Sequence, residues 1–296
     1  MIWLIGNKGM LGKEVEGLLK DHSIAHITND IEVDITDYDA IIDFIGGRAV
    51  DWIINCSAYT AVDRAEDEPE LAFRINAEGV LNIAKLARHK NAKLIHISTD
   101  YVFDGEKEGC YTERDVPNPP GVYGKSKLAG EENIRRTWPK NFIVRTAWLY
   151  GRHGQNFVYT MLRLFGEKDV VKVVSDQHGN PTFTKDLASV IVNISRRDSE
   201  AYGIYHFTNE GYTTWYDFAL RIQELAIEYG ILERKCKLVP INTSEYPCRA
   251  KRPLNSCLSK EKIKAVFGFK IREWKEALNE FVKEISGLNR LDEKIN

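Results

Sequence analysis

The chain has few of the residues that mark secreted, metal-binding or membrane proteins. Its 296 residues include only five cysteines, at positions 56, 110, 236, 248 and 257, and no C-x-x-C pair. An odd count without paired spacing argues against a disulfide framework or a zinc site, so we expect reduced thiols in a cytoplasmic protein. The opening apolar run, MIWLIGNKG, is too short for a signal peptide or a membrane span.

An excess of charge of either sign is also missing. The chain carries 41 Lys and Arg against 43 Asp and Glu, for a formal net charge of −2. The acidic and basic residues are interspersed, without a basic stripe or an acidic tail. We therefore expect neither a nucleic-acid partner nor a membrane partner, and no protein metal site.

Short apolar runs alternate with helical patterns through the first half of the chain. This alternation predicts βαβ units and a parallel sheet with helices on both faces. The expected fold class is α/β: a Rossmann-type doubly wound parallel sheet with a smaller, mainly C-terminal α/β substrate-binding domain. Strands are predicted at 2–6, 24–28, 51–58, 93–99 and 141–151, and helices at 10–21, 34–45, 65–90 with a bend near Pro69, and around Tyr123.

The second half of the chain has a looser pattern. Helices are predicted at 184–197 and 213–230, with a strand at 203–208 between them. No Pro/Gly-rich seam separates two domains. We predict a Rossmann domain of residues 1–148 and about 171–210, and a second, smaller domain of about 149–170 and 211–296.

The stretch GNKGMLG places Gly6, Gly9 and Gly12 between the first strand and the first helix. Glycines at this spacing let the backbone turn tightly and approach a pyrophosphate, whose charge the helix N-terminus favours. Without a ligand, the same residues would be a plain tight turn. The context of strand, loop and helix favours dinucleotide binding.

Two acidic positions follow the second strand. Asp30 can bind ribose hydroxyls and disfavour a 2′-phosphate, which would favour NADH over NADPH, or it can simply cap a turn. The pair Asp34 and Ile35 can contact adenine, or can be an N-cap and a core residue.

Tyr123 and Lys127 stand four residues apart in GVYGKSKLAGEENI, which brings both onto one helix face. A nearby lysine cation lowers the pKa of a phenol and would make it a better proton donor. Alone, the pair is commonly a surface feature. It follows Ser98 and Thr99 at the carboxyl end of the fourth strand, where ligands bind parallel sheets, and either hydroxyl can bond a reacting oxygen. Together with the glycine loop, these residues predict a hydride-transfer site.

The chain resembles the extended short-chain dehydrogenase/reductases and, within them, the dTDP-4-dehydrorhamnose reductases. The resemblance extends over nearly the whole chain. The segments that carry it are GNKGMLG, NCSAYTAVDRAEDEPELAFRINAEG, HISTDYVFDG, VYGKSKLAGE, RTAWLYG, DQHGNPT, TTWYDFA and YPCRAKRPLNS.

The resemblance implies roles for individual residues. Tyr123 would donate the proton, Lys127 would assist it and bind ribose, and Thr99 would polarise the keto oxygen. Asp100, Trp148 and Arg252 would contact the substrate, although Trp148 could instead be core and Arg252 competes with its basic neighbours. The cofactor would be NADH or NADPH, bound by Gly6, Gly9, Met10, Leu11, Asp30, Asp34, Ile35, Ala58, Tyr59, Thr60, Tyr123 and Lys127.

The implied activity is reduction of the C4 ketone of dTDP-4-dehydro-L-rhamnose to dTDP-L-rhamnose, for cell-surface polysaccharide. A reductase or epimerase of another nucleotide sugar is one alternative. Another is a non-catalytic subunit, similar to the regulatory subunit of methionine adenosyltransferase. Some relatives pair through Mg²⁺ at an acidic interface, so a homodimer with Mg²⁺ is possible, although no matching cluster stands out here.

Overall fold

The computed structural model describes residues 1–295, with side chains through residue 287. In chain order, the strands are β1 Ile2–Ile5, β2 His26–Asn29, β3 Trp52–Asn55, β4 Lys93–Thr99, β5 Asn141–Thr146, β6 Leu149–Tyr150, β7 Val170–Val174, β8 His178–Gly179, β9 Thr182–Phe183, β10 Gly203–His206, β11 Thr213–Thr214 and β12 Lys237–Ile241. The α-helices are α1 Met10–Asp21, α2 Tyr38–Ile45, α3 Val62–Ala65, α4 Pro69–Phe73, α5 Val80–Lys90, α6 Val122–Thr137, α7 Phe157–Glu167, α8 Thr184–Arg196, α9 Trp215–Glu228, α10 Glu261–Phe267 and α11 Trp274–Ile295. None of the described helices is long and apolar enough to cross a bilayer.

Six strands form the central sheet in the order β10-β5-β4-β3-β1-β2, and every neighbouring pair is parallel. The chain leaves β1 toward β2 on one side and returns to β3 on the other. The carboxyl ends of β1 and β3 therefore flank the crevice where parallel α/β sheets bind ligands. The predicted α/β class and doubly wound sheet are confirmed.

Both faces of this sheet are buried. Along β1, Ile2 and Leu4 point into one apolar core, while Trp3 and Ile5 point into the other. This alternation is the two-residue period of a strand covered on both sides. Helices α1 and α8 pack on the first face, and α2 and α5 pack on the second.

A third apolar core lies outside the sheet and is rich in aromatic rings. It joins α7, α9 and the first part of α11, with Phe218, Trp274 and Phe281 among its buried members. Strand β7 pairs with β12 in a separate two-stranded sheet, so it does not extend the central sheet. In contrast, Ile263 and Phe267 of α10 pack into the core of the central sheet. The division into two domains stays a proposal. Two segments do not follow its predicted boundaries: β7 pairs with a strand predicted in the other domain, and α10 packs on the central sheet.

Several predicted elements differ at their ends. The predicted helix 34–45 begins at Tyr38, because Asp37 caps it by accepting hydrogen bonds from the N–H groups of Asp39 and Ala40. The predicted helix 65–90 is divided: α4 begins at Pro69, and a π-helical segment Arg74–Gly79 precedes α5. The predicted strand 141–151 is interrupted at Trp148, whose φ is +47°.

The expectation of reduced thiols is wrong for two cysteines. Cys110 and Cys257 form a disulfide, although 147 residues separate them in the chain. A backbone bridge between Tyr111 and Leu258 holds the two segments side by side. Sequence spacing carries no signal for such a long-range pair. The other three cysteines are free.

Candidate active site

A cavity of about 890 Å³ opens at the carboxyl edge of the central sheet. It extends from the loop after β1 to the segment after β5, so one space joins the glycine loop and the Tyr123 helix. The predicted site residues that line it are Gly6, Gly9, Met10, Leu11, Asp30, Asp34, Ile35, Ala58, Thr60, Thr99, Asp100, Tyr123, Lys127 and Trp148.

The glycine loop is shaped for close backbone approach. Gly6 has a φ of +79°, and a Cβ there would lie 2.8 Å from the Ser57 backbone nitrogen. A Cβ at Gly12 would overlap the Gly6 carbonyl oxygen, so glycine is needed for helix α1 to begin against the loop. Helix α1 has no side-chain cap at its start, and Met10 and Leu11 line the cavity. Its first N–H groups are therefore free to bind an anion, as a dinucleotide pyrophosphate requires.

Asp30 caps a turn, as one of its two predicted roles requires, and its predicted contact with ribose stays a prediction. Its carboxylate accepts hydrogen bonds of 2.9 Å from the backbone N–H groups of Lys8 and Ile31, and it also lines the cavity. The Lys8 ammonium reaches Glu32 at 3.0 Å. The cavity thus has negative charge at the end of β2, with one lysine beside it.

The neighbouring pair Asp34 and Ile35 lies on the same wall. Asp34 accepts hydrogen bonds from the N–H and hydroxyl of Thr36, so it caps a turn and is not the N-cap of α2. Ile35 is buried in the sheet core, packs where Gly79 leaves space, and also reaches the cavity wall. The Ile35 side chain therefore packs in the core and also forms part of the cavity wall.

Thr99, Asp100 and Tyr123 meet at the far end of the cavity. Thr99 closes β4, donates its hydroxyl to Asp100 at 2.9 Å, and lies within hydrogen-bonding reach of the Tyr123 phenol. Asp100 is buried, and this burial raises its pKa to about 6, while the Ser256 and Thr99 hydroxyls oppose the rise. Of the two candidate hydroxyls, that of Ser98 already donates a hydrogen bond to Glu131 at 2.5 Å. The Thr99 hydroxyl is also engaged, but it lies beside the Tyr123 phenol, and Thr99 is therefore the better placed partner for a reacting oxygen.

Lys127 is buried on α6 below this group. Its side chain is 2% exposed, and its Nζ donates to the Ile97 carbonyl oxygen at 2.7 Å. Burial lowers the pKa of Lys127 to about 8. The hydrogen bond to the Ile97 carbonyl thus holds the lysine side chain at the cavity, whose wall includes both Ile97 and Lys127.

The prediction that Lys127 lowers the pKa of Tyr123 is wrong. Burial raises the pKa of Tyr123 and the nearby Asp100 carboxyl raises it further, while the Thr99 hydroxyl lowers it. The phenol therefore holds its proton at neutral pH. A protonated phenol is the form that a proton donor needs at the start of a reduction.

Trp148 lines the cavity from a strained backbone position. Its φ of +47° is unusual for a bulky residue and interrupts the chain between β5 and β6. The indole stacks on Trp215 at 3.6 Å between ring centroids, and Gly179 leaves space for its other side. This backbone conformation directs the indole away from the sheet core and toward the cavity. The prediction from sequence did not include Trp215.

Two predicted residues do not line the cavity. The Tyr59 hydroxyl donates to Glu68 at 2.6 Å, and its backbone N–H donates to Asn76. Arg252 donates to Asp63 at 2.9 Å, while its buried Nε has no hydrogen-bond partner. Their predicted roles stay predictions, as do those of the other site residues.

Further lining residues were missed by the sequence reasoning. Lys8, Ser57, Tyr101 and Gln155 all contribute to the wall. Ser57 and Tyr101 directly follow β3 and β4, so the rule that ligands bind at carboxyl ends of parallel strands could have found them. Gln155 lies in a connecting loop with no comparable signal. In the part of the chain that the structure describes, no group of three or more His, Cys, Asp or Glu could hold a metal ion.

Known proteins resemble the chain over most of its length. The family model described as RmlD substrate binding domain matches residues 1–286. A dTDP-4-dehydrorhamnose reductase of Aggregatibacter actinomycetemcomitans is 42% identical over 281 residues, 93% of this chain and 96% of that protein. The spore coat polysaccharide biosynthesis protein SpsK of Bacillus subtilis is 38% identical over 287 residues, 96% of this chain and 98% of that protein.

Solved structures agree with the sequence comparisons. A crystal structure of dTDP-4-dehydrorhamnose reductase from Bacillus anthracis, in complex with NADP, has a TM-score of 0.89 and 37% identity. The match covers 96% of this chain and 98% of that one.

Proposed function

Because the chain belongs to the RmlD substrate binding domain family, we propose that it reduces the C4 ketone of dTDP-4-dehydro-L-rhamnose to dTDP-L-rhamnose. The observation that carries this proposal is a single cavity that joins the glycine loop to Thr99, Tyr123 and Lys127. The product would serve polysaccharide synthesis, which the SpsK relative has in its name. As an enzyme, the protein is an oxidoreductase that uses a nicotinamide dinucleotide.

The cofactor fits the glycine-loop end of the cavity. Side chains at Gly6 or Gly12 would clash with the backbone of Ser57 or of Gly6, so glycine keeps the loop tight, and the first turn of α1 is uncapped. The reduced nicotinamide supplies the hydride that arrives at the C4 carbon. NADP in the Bacillus anthracis structure supports NADPH, while Asp30 at the ribose end favours NADH, so we propose that both are accepted.

The reacting ketone oxygen would lie between Thr99 and Tyr123. The Thr99 hydroxyl holds this oxygen, and the buried Tyr123 phenol gives it a proton as negative charge develops there. Lys127, as an ammonium, would hold the ribose hydroxyls and stabilise the phenolate that remains. Asp100 and Trp148 would position the sugar, and Arg252, whose guanidinium bonds Asp63, would contact the diphosphate.

Other reactions fit the site less well. Dehydratases of sugar nucleotides use an acid and a base directly after the threonine, and here Asp100 is followed by Tyr101. A second carboxylate is therefore missing from that position. A non-catalytic subunit would not need a protonated phenol aligned with Thr99 at the end of the cavity.

A turnover assay tests the proposal. Purified protein with NADPH and the dTDP-linked 4-keto sugar should oxidise the cofactor and form dTDP-L-rhamnose in equal amounts. A panel of dTDP-, UDP- and GDP-linked keto sugars would separate the proposed substrate from other nucleotide sugars. Tight cofactor binding without any oxidation would favour the binding-subunit alternative.

The remaining predictions concern the setting of the enzyme. We propose a cytoplasmic protein in which residues 1–148 and about 171–210 bind the dinucleotide and the rest binds the sugar nucleotide. A homodimer with bridging Mg²⁺ stays a proposal of the same kind. Sedimentation with and without a chelator would test the dimer and the ion together.

A further inference from the structure

A line of buried hydrogen bonds runs beneath the cavity from β3 to α6. The Ser57 backbone N–H lies 3.0 Å from the Asn55 Oδ1, and the Asn55 Nδ2 lies 3.0 Å from His96 Nδ1. On the other side of the ring, His96 Nε2 lies 3.4 Å from the Lys127 Nζ. Asn55 and His96 are fully buried, so their groups can bond only to each other and to these neighbours.

The backbone decides the direction of each bond in this line. A backbone N–H only donates, so Asn55 must turn its oxygen toward Ser57, whose hydroxyl also donates to the same oxygen at 2.6 Å. The Asn55 amide therefore presents its N–H to His96. His96 Nδ1 must accept, and a neutral imidazole with an accepting Nδ1 carries its proton on Nε2.

This tautomer places an N–H donor in front of Lys127. An ammonium has three donors and no lone pair, whereas a neutral amine has one lone pair that can accept. The Lys127 Nζ already donates to the Ile97 carbonyl oxygen at 2.7 Å. The contact with His96 is therefore favourable for the amine and unfavourable for the ammonium.

Other groups around Lys127 offset its burial only in part: the Glu131 carboxylate raises the pKa of Lys127, yet that pKa stays below its ordinary value. Glu131, one turn further along α6, is bound by both Nε and Nη2 of Arg145, at 2.9 and 2.6 Å, and by Ser98. Burial raises the pKa of Cys56 to about 12, so its thiol stays neutral. Burial and the nearby Lys127 hold the pKa of His96 well below its ordinary value. Tyr123, one turn before Lys127 on α6, also stays protonated. Among the residues that the structure describes, Lys127 therefore forms no ion pair with a carboxylate or thiolate.

We propose that His96 is a positioning residue that makes Lys127 easier to deprotonate by donating its Nε2–H toward the lysine amine. The purpose assigned to it rests on the proposed function: Lys127 can then gain and lose its proton near neutral pH, next to the phenol that delivers one to the substrate. Asn55 and Ser57 also contribute to the deprotonation of Lys127, because they determine which nitrogen of His96 carries the hydrogen.

Nuclear magnetic resonance of the ligand-free protein tests the tautomer directly. In protein labelled with ¹⁵N-histidine, long-range proton–nitrogen correlations should show the hydrogen of His96 on Nε2, with His96→Gln identifying the signal among seven histidines. A hydrogen on Nδ1 would overturn the proposal. This measurement needs no turnover, so its failure is distinct from a failure of the proposed reductase activity.

Asn55→Asp reverses the tautomer with little change in shape. A carboxylate accepts from both Ser57 and His96, so the histidine hydrogen should move to Nδ1 and Nε2 should accept from the lysine ammonium. The Lys127 pKa, followed by ¹³C labelling at its Cε, should rise by roughly one unit or more. The alkaline limit of kcat/KM should move upward with it.

The double variant separates this effect from the added charge. In a His96→Gln background, Asn55→Asp adds the same carboxylate, but there is no imidazole whose tautomer could change. The rise in the Lys127 pKa should then be clearly smaller than in the presence of His96. Equal rises in the two backgrounds would show a direct charge effect and would refute the role of His96.

Discussion

The two ends of the cavity are built in different ways. At the glycine loop, contiguous backbone from Gly6 to Leu11 and the turn around Asp30 form the wall, and glycine conformation decides its shape. At the Tyr123 end, buried side chains from β4, α6 and the segment after β5 converge from distant parts of the chain. Changes at the first end should alter cofactor binding, and changes at the second should alter chemistry or stability.

Tyr123→Phe should give the largest effect and should separate the two ends most clearly. Removing the proton donor should lower kcat about 100-fold or more, because general acid catalysis contributes about that much. The phenyl ring keeps the volume of the phenol, so cofactor affinity should change little. Steady-state kinetics and fluorescence titration of NADPH would measure both. Near-normal turnover would remove the phenol from the reaction.

Gly6→Ala should damage the other end. The positive φ and the Cβ contact of 2.8 Å with the Ser57 backbone nitrogen both oppose a side chain there. We expect cofactor affinity to fall at least tenfold and the free energy of unfolding to fall by about 1–3 kcal/mol. Calorimetric titration with NADPH and urea unfolding would measure the two losses.

The matched control for Gly6 is Gly17→Ala in helix α1. A Cβ at Gly17 meets nothing within 4 Å, and alanine favours a helix over glycine by about 1 kcal/mol. This variant should be as stable as the original or slightly more so, with unchanged cofactor affinity. A loss in the control as large as that at Gly6 would contradict the explanation by backbone shape.

Lys127→Met should lower activity but raise stability at neutral pH. The pKa of about 8 in the folded protein lies below the ordinary 10.5, so burying the ammonium destabilises the fold below pH 8. Removing it should increase the free energy of unfolding by on the order of 2 kcal/mol, less the loss of the bond to Ile97. Urea unfolding at pH 7 would show this.

The pH dependence of stability, measured for both the original protein and Lys127→Met, gives a second test. As pH rises from 8 to 10.5, the unfolded chain still binds the Lys127 proton while the folded protein has released it. This group should therefore make the protein more stable over that interval, and the difference from Lys127→Met should shrink. A constant difference between the two proteins would place the lysine outside the low-dielectric interior.

Asp30→Ala should give the smallest effect. Removing the carboxylate should shift preference from NADH toward NADPH by roughly tenfold or less, since one partly exposed charge contributes about 1 kcal/mol or less. The ratio of kcat/KM values for the two cofactors measures the shift. An unchanged ratio would leave Asp30 as a turn cap only.

Much of the central sheet could be predicted from its residues. Each strand is a short apolar run, and α1 begins and ends as its pattern of Leu11, Val15 and Leu19 predicts. The pairing of β7 with β12 was missed, because two strands whose paired residues, such as Val170 and Lys237, are 67 positions apart have no local pattern. The glycine loop could be predicted from its spacing and its place between a strand and a helix, whereas the stack of Trp148 on Trp215 needed two distant segments to meet.

The sequence by itself determined which groups could act at the site: the glycines, a hydroxyl at the end of β4, and a phenol and a lysine one helical turn apart. These follow from local backbone preferences and from the periods of strands and helices, which act over a few residues. Only the tertiary structure decided the charge that these groups carry. Burial raises the pKa of Tyr123 and lowers that of Lys127, and His96 faces the lysine from another strand. Proton affinity depends on solvent exclusion and on neighbours in space, and neither is written in the order of the residues.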